Sequence, residues 1–371
     1  MRKLIGWRLC TGASGKIGTA ETAERGTRMF LREHGERMNA VNDRTEAQNS
    51  AAGTNAGEKT RGTVKKWLEA MRLRTLPLSL SAVLLGVAAG CLESGPGDSP
   101  ARLGVLTLFI LATAVLLQIL SNFANDYGDS VSGVDNAVRE GRISVLQQGG
   151  MTRKELLRGI MTAGVLALGC GSVSLLLAFM DSPAALLGFC LLGALAMAAA
   201  VTYTIGIAYS YLGLGDLSVF IFFGLVSVMG SEYMIAHQVS LIGALAGCNA
   251  GIMAVMVLNV NNLRDYESDI AGGKNSLVVR MGLTGGRVYH WCLCNVAALL
   301  LFVIGVIVNS WWALLLIPAM ILFFRAAAFA GSAKNSGKSL DPYLKKTSVS
   351  SSLINLTLIL VLVFSNLTKI I

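Results

Sequence analysis

The chain is built from long apolar runs separated by short polar connections. Nine runs are near bilayer length, at roughly 75–92, 103–122, 156–179, 184–203, 216–236, 241–260, 287–308, 311–329 and 350–368. A spanning helix needs about 20 such residues, whereas a barrel strand alternates apolar and polar over about 10. The pattern therefore predicts an all-α polytopic membrane protein with nine transmembrane helices. Two runs end unusually. The second is followed by Asn122, Asn125, Asp126, Asp129 and Asp135, and the sixth by Asn259, Asn261, Asn262, Arg264, Asp265, Glu267 and Asp269. Charge this close to hydrocarbon is costly unless paired, hydrated or metal-bound, so both clusters call for a purpose.

Composition agrees with the pattern. Only 14% of the 371 residues are charged and the mean hydropathy is +0.60, against about 25% charged in a soluble domain. The net charge of +9 would suggest nucleic acid if it were spread along one face. Instead, Arg102 and Lys369 are the only Lys or Arg outside alternate connections on one side of the bilayer. The positive-inside rule then puts the N-terminus and both acidic clusters in the cytoplasm, with no nucleic-acid partner. The seven cysteines show no two-residue metal or redox spacing and read as packing residues.

Residues 1–63 are polar and lack a sustained apolar period or a signal-peptide core. They read as a disordered tail, or as an upstream extension with the start at Met29 or Met38. Thr11–Gly18 (T-G-A-S-G-K-I-G) imitates a dinucleotide-binding turn, but no βαβ unit follows it. The rest, 64–371, forms the membrane domain.

Asp126, Asp129, Asp265 and Asp269 are separated within each pair by three or four residues, which places each pair on one helical face. Four carboxylates make a hard oxygen site suited to Mg²⁺, which keeps several waters and is completed by substrate phosphate. Arg139, Arg142, Arg264, Lys274 and Arg280 lie close enough in sequence to hold the same diphosphate. The amides Asn122, Asn125, Asn261 and Asn262 complete the two clusters as substrate-binding candidates. The Asn/Asp spacing is a weak internal repeat, and two related halves would set the clusters across a central cavity. Tyr203, Tyr209, Tyr211 and Asp216 fall in the 203–216 connection, where aromatic faces could stabilise a carbocation. A plain interfacial tyrosine belt is the competing reading for Tyr209 and Tyr211.

Five segments resemble the UbiA superfamily of membrane prenyltransferases: R-T-L-P (Arg74–Pro77), L-Q-I-L-S-N-F-A-N-D-Y-G-D (Leu117–Asp129), G-L-G-D-L-S-V-F-I-F-F-G (Gly213–Gly224), L-N-V-N-N-L-R-D-Y-E-S-D (Leu258–Asp269) and G-K-N-S-L-V-V-R-M-G (Gly273–Gly282). They are most similar to the branch acting on 1,4-dihydroxy-2-naphthoate. The resemblance spans residues 64–371. One departure is visible: where the family's first motif ends in a further Asp, this chain has Gly133, with Asp135 two residues on.

The resemblance implies a helical bundle around a central cavity open to the lipid bilayer. It implies two Mg²⁺ ions bridging a polyprenyl diphosphate to the carboxylates, ionisation to an allylic cation, and attack by the naphthoate with loss of CO₂. Menaquinone biosynthesis in a bacterial inner membrane, with no obligate protein partner, follows as an expectation. Transfer to another aromatic acceptor, such as 4-hydroxybenzoate, is the alternative inside the class. Outside it stands an ion-coupled transporter, whose carboxylates would lie near the bilayer midplane. A CDP-alcohol phosphotransferase would carry a D-G-x-x-A-R pattern, which the sequence lacks.

Overall fold

The structure is a computed structural model that describes residues 64–73, 75–94, 99–132 and 144–370. Arg74, Asp135, Arg139, Arg142 and the segment 1–63 lie outside the described residues. All regular structure among the described residues is helical. Nine helices there are long and apolar enough to cross a membrane: α1 Leu76–Glu93, α2 Pro100–Ser132, α3 Arg153–Phe179, α4 Pro183–Thr202, α5 Gly215–Ala236, α6 Leu241–Arg264, α7 Leu277–Val308, α8 Trp311–Ala330 and α9 Gly337–Thr368. The protein is thus a multi-pass membrane protein, as the run pattern predicts.

Three helices outrun their apolar cores at the same end of the bundle. Helix α2 continues to Ser132 rather than 122, α7 starts at Leu277 rather than 287, and α9 at Gly337 rather than 350. Hydropathy marks where a helix faces lipid. A polar stripe turned inward keeps the backbone helical while lowering the average. Asn122, Asn125, Asp126 and Asp129 therefore lie on a helix, not in a connection.

Local sequence sets several starts. Thr152 and Glu155 form a reciprocal capping box on α3, and Ser240 accepts from the Gly243 amide to begin α6. On the side away from the clusters, Glu232 also accepts from the Ser240 amide (2.9 Å) and hydroxyl (2.6 Å), which ties the α5–α6 connection.

Helices α1, α6 and α9 form the interior. Helix α6 is the most enclosed, whereas no residue of α4 is buried. Leu85, Met253, Ile304, Phe323 and Leu358 meet in the main core, drawn from α1, α6, α7, α8 and α9. A second core joins α2 to α3 through Leu120, Phe123, Leu156 and Ile160, with Trp67 edge-on to Phe123 at 5.5 Å. Helix α5 meets α6 at Gly224, where a Cβ would overlap the Gly251 backbone. This is the close approach that small residues permit in membranes.

Helix α5 is π-helical over Phe220–Gly230, and Ser227 donates to the carbonyl of Phe222 five residues back (2.7 Å). The reason lies in what the helix presents. Ser218 and Val219, Phe222 and Phe223, Val226 and Ser227, Gly230 and Ser231, then Met234, all line one cavity. A strict four-residue repeat drifts off one face at 3.6 residues per turn; the wider π turn holds it in place.

Candidate functional site

The cavity has a volume of about 410 Å³ and lies between α1, α2, α4, α5 and α6. Gln118, Asn122, Asn125 and Asp129 line it from α2, spaced four, three and four residues apart. That spacing is one helical face. From the other cluster, Asn261, Arg264 and Lys274 line it, and Tyr203, Thr204 and Tyr209 close the end between α4 and α5. The remaining wall is mostly apolar, with Leu78, Val83, Ile110, Phe189, Phe222 and Phe223 among its residues. A single cavity therefore has one ionic end and a greasy body.

Each motif carboxylate is buried and held by a donor. Asp126 is 1% exposed and takes Arg72 at 2.6 Å. Asp129 accepts from the Tyr211 hydroxyl at 2.7 Å. Asp265 is gripped by both ends of the Arg264 guanidinium at 2.8 Å, and Asp269 faces Lys274 at 3.5 Å. Arg264 also donates to Asn261 at 2.7 Å and to Asp341 of α9 at 2.9 Å. Asn122 donates to the Met71 carbonyl at 2.9 Å, and Thr204 donates to Asn125 at 3.3 Å. Asp265 and Asp269 lie outside the cavity lining and reach it through Arg264 and Lys274. Asn262 is buried but does not line the cavity.

Charged side chains in three elements thus meet at one end of the bundle. Asp129 lies three residues before the end of α2, and Asp265 follows α6 directly. This rim position is not the midplane placement that ion-coupled transport would require.

The tyrosines depart from a simple belt. Tyr209 hydrogen-bonds the Ala199 carbonyl (3.0 Å) and Ser218 (2.7 Å), and its ring meets Tyr203 edge-on at 5.3 Å. Tyr211 lies outside the lining but fixes Asp129. Burial pushes all three phenols above their ordinary range; the Asp216 charge adds to this at Tyr203 and the Asp129 charge at Tyr211. All three stay protonated at neutral pH. Arg280, expected beside a diphosphate, lies outside the cavity lining: it donates to the Asn275 (3.2 Å) and Leu212 (2.6 Å) carbonyls and holds the 209–214 turn.

The donor set suits Mg²⁺. Among the described residues no three His, Cys, Asp or Glu side chains converge to enclose a metal. Hard carboxylate oxygens are the donor type Mg²⁺ takes, and that ion usually keeps several waters and adds substrate phosphate. Sequence reasoning missed Arg72, Thr204 and Asp341. Arg72 precedes the first span and adopts a positive φ of 52°, so no spacing rule connects it to Asp126, 54 residues on.

The model of the UbiA prenyltransferase family matches residues 80–341. The chain is 40% identical over 296 residues to a 1,4-dihydroxy-2-naphthoate octaprenyltransferase of Haemophilus influenzae, covering 79% of this chain and 94% of that one. It is 42% identical over 263 residues to the protein of the same name from Escherichia coli, covering 70% and 83%. Its fold matches a UbiA homolog from Archaeoglobus fulgidus bound to GPP and Mg²⁺, with a TM-score of 0.55 at 14% identity over 80% of this chain and 99% of that one.

Proposed function

This chain belongs to the UbiA prenyltransferase family, and from that premise we propose that it transfers a polyprenyl group from polyprenyl diphosphate to 1,4-dihydroxy-2-naphthoate. CO₂ and pyrophosphate leave, and the product is demethylmenaquinol, the hydroquinone form of demethylmenaquinone. The observation that carries the reading is the divided cavity: ionic at one end, apolar along the rest. A prenyl diphosphate is divided in the same way.

Arg72, Arg264 and Lys274 bind the diphosphate. Asp126, Asp129, Asp265 and Asp269 hold Mg²⁺, with Asn122, Asn125, Asn261 and Asn262 as neighbouring polar donors and acceptors. Bound there, Mg²⁺ supplies charge stabilisation for the departing pyrophosphate. Tyr203 and Tyr209, neutral throughout, line the cavity, where their rings stabilise positive charge on the reacting carbon. The apolar walls of α1, α2, α4 and α5 exclude water, which would otherwise capture the allylic cation. Helix α4, with no buried residue, lets the tail pass toward lipid. We place the protein in a bacterial inner membrane, and the positive-inside count supports an orientation with the ionic end in the cytoplasm. Residues 64–371 form the catalytic body.

The test is product analysis. Membranes containing the protein are given polyprenyl diphosphate, Mg²⁺ and carboxyl-labelled 1,4-dihydroxy-2-naphthoate, with and without EDTA. Labelled CO₂ together with a prenylated naphthohydroquinone, recovered as the quinone after oxidation in air, is expected, both abolished by EDTA. Prenylation of 4-hydroxybenzoate instead would overturn the acceptor while keeping the reaction class.

A further inference from the structure

The polar stripe of α2 does not stop at the charged rim. Gln118 stands one turn, about 6 Å, further along the helix than Asn122, on the same face. It is 7% exposed and lines the cavity, as does Ser79 of α1 at 5%. Neither a diphosphate nor a prenyl chain accounts for them. The first is met by cations at the rim, and the second has no hydrogen-bonding atoms.

Their hydrogen bonding is incomplete in a defined way. Thr75 donates its hydroxyl proton to the Arg72 carbonyl at 3.0 Å. It can therefore only accept from Gln118, whose Nε2 lies 3.2 Å away. This fixes the amide orientation. The other end, Gln118 Oε1, has no partner, and neither does Ser79 Oγ. A buried amide oxygen and hydroxyl left unpaired are costly enough to need a reason. One orphan accepts only; the other can donate or accept.

We propose that Gln118 and Ser79 form the subsite for the hydroxylated edge of the aromatic acceptor. Gln118 Oε1 accepts from a ring hydroxyl, and Ser79 Oγ bonds to the same polar edge. The inference rests on the prenyl-transfer reading and deepens it. A neutral amide and a neutral hydroxyl suit a neutral ring hydroxyl. The acceptor's carboxylate fits poorly beside an oxygen that only accepts, and it is left for the cationic rim. The Arg72–Thr75 turn links the subsite to the charged end, because Arg72 binds Asp126 with its side chain and Thr75 with its carbonyl.

The experiment uses the full chain in liposomes with saturating Mg²⁺. The KM values for polyprenyl diphosphate and for 1,4-dihydroxy-2-naphthoate are measured for the wild type, Gln118→Met and Ser79→Ala. Inhibition constants follow for 1-hydroxy-2-naphthoate and 4-hydroxy-2-naphthoate, each lacking one hydroxyl. Gln118→Met should raise the acceptor KM about tenfold and leave the diphosphate KM unchanged. The wild type should bind one analogue about tenfold more weakly than the other, and Gln118→Met should erase that difference, since the lost hydroxyl then has no partner to miss. Ser79→Ala should raise the acceptor KM several-fold, and it carries the test if Gln118→Met does not fold. Unchanged acceptor kinetics would overturn the subsite, as would both KM values rising together or analogue discrimination surviving in Gln118→Met. A wild type that prenylates no acceptor would overturn the functional reading, and the subsite with it, before any variant is compared.

Discussion

Replacing Arg264 by Met should destabilise the protein far more than removing the carboxylate at the other end of the same side chain. Arg264 and Asp265 form a two-pronged ion pair at 2.8 Å on each prong, with both side chains 3% exposed. Removing one partner of such a buried pair leaves the other charge uncompensated, at about 3–5 kcal/mol. The link from Arg264 to Asp341 is 2.9 Å, but the Asp341 side chain is 36% exposed. Solvent screens that arm, so Asp341→Asn should cost about 0.5–1 kcal/mol. At about 2 °C per kcal/mol, the lower end of the scaling for large domains, Arg264→Met should lower the apparent melting temperature by roughly 6–10 °C. Asp341→Asn should lower it by roughly 1–2 °C. Arg264→Lys should fall between them, keeping the charge but losing the fork. The assay is loss of monodisperse protein after heating in detergent at a fixed scan rate, since membrane proteins unfold irreversibly. If Arg264→Met melts no lower than Asp341→Asn, the buried fork does not hold the second motif and the reasoning fails.

Other outcomes follow from the same geometry. Tyr211→Phe should lower turnover several-fold by releasing Asp129. Because the Tyr211 pKa is raised, its proton is retained below the ordinary tyrosine value of about 10, so wild-type activity should show no tyrosine limb between about pH 7 and 9.5; such a limb, lost in Tyr211→Phe, would contradict the shift. Asp269→Asn should raise the Mg²⁺ concentration needed for half-maximal activity, and an unchanged Mg²⁺ titration would remove Asp269 from the metal shell. Gly128→Ala should cost about 1–3 kcal/mol, because the new Cβ meets the Thr204 backbone carbonyl and hydroxyl at 2.5 Å; wild-type melting would show that this contact relaxes freely. A chain beginning at Thr63 should insert and retain turnover, which an inactive but folded truncation would refute.

Much of the architecture was legible because a bilayer permits few solutions. Apolar length predicts the spans, so nine helices could be counted before any packing was known. Boundaries failed where polar residues continued a helix, as with α2 through Asp129. The motif carboxylates were legible from their spacing. Their partners were not: Arg72 reaches Asp126 from outside any span, and Asp341 reaches Arg264 across 77 residues. His290 of α7 likewise meets Asn259 of α6 at 3.0 Å, 31 residues away in sequence. Such pairings depend on which helix faces which. Periodicity gives each helix a face without naming its neighbour.

The pairings also explain how four acidic side chains can be buried beside hydrocarbon at all. An ionised carboxylate at this depth persists only with a charge or donor beside it. Arg72, Arg264, Lys274 and Tyr211 meet that need for Asp126, Asp265, Asp269 and Asp129 respectively. In the proposed reaction the same cations serve the diphosphate. A metal ion would find Asp126, Asp265 and Asp269 already paired with cations and Asp129 with a neutral donor, and a diphosphate would find Arg72, Arg264 and Lys274 already engaged. Held together, the metal by the carboxylates and the diphosphate by the cations, the two would keep these buried charges paired. Arg72, Arg264 and Lys274 line the cavity while three of the carboxylates sit behind them, so the side chains that face substrate first are the ones a diphosphate draws.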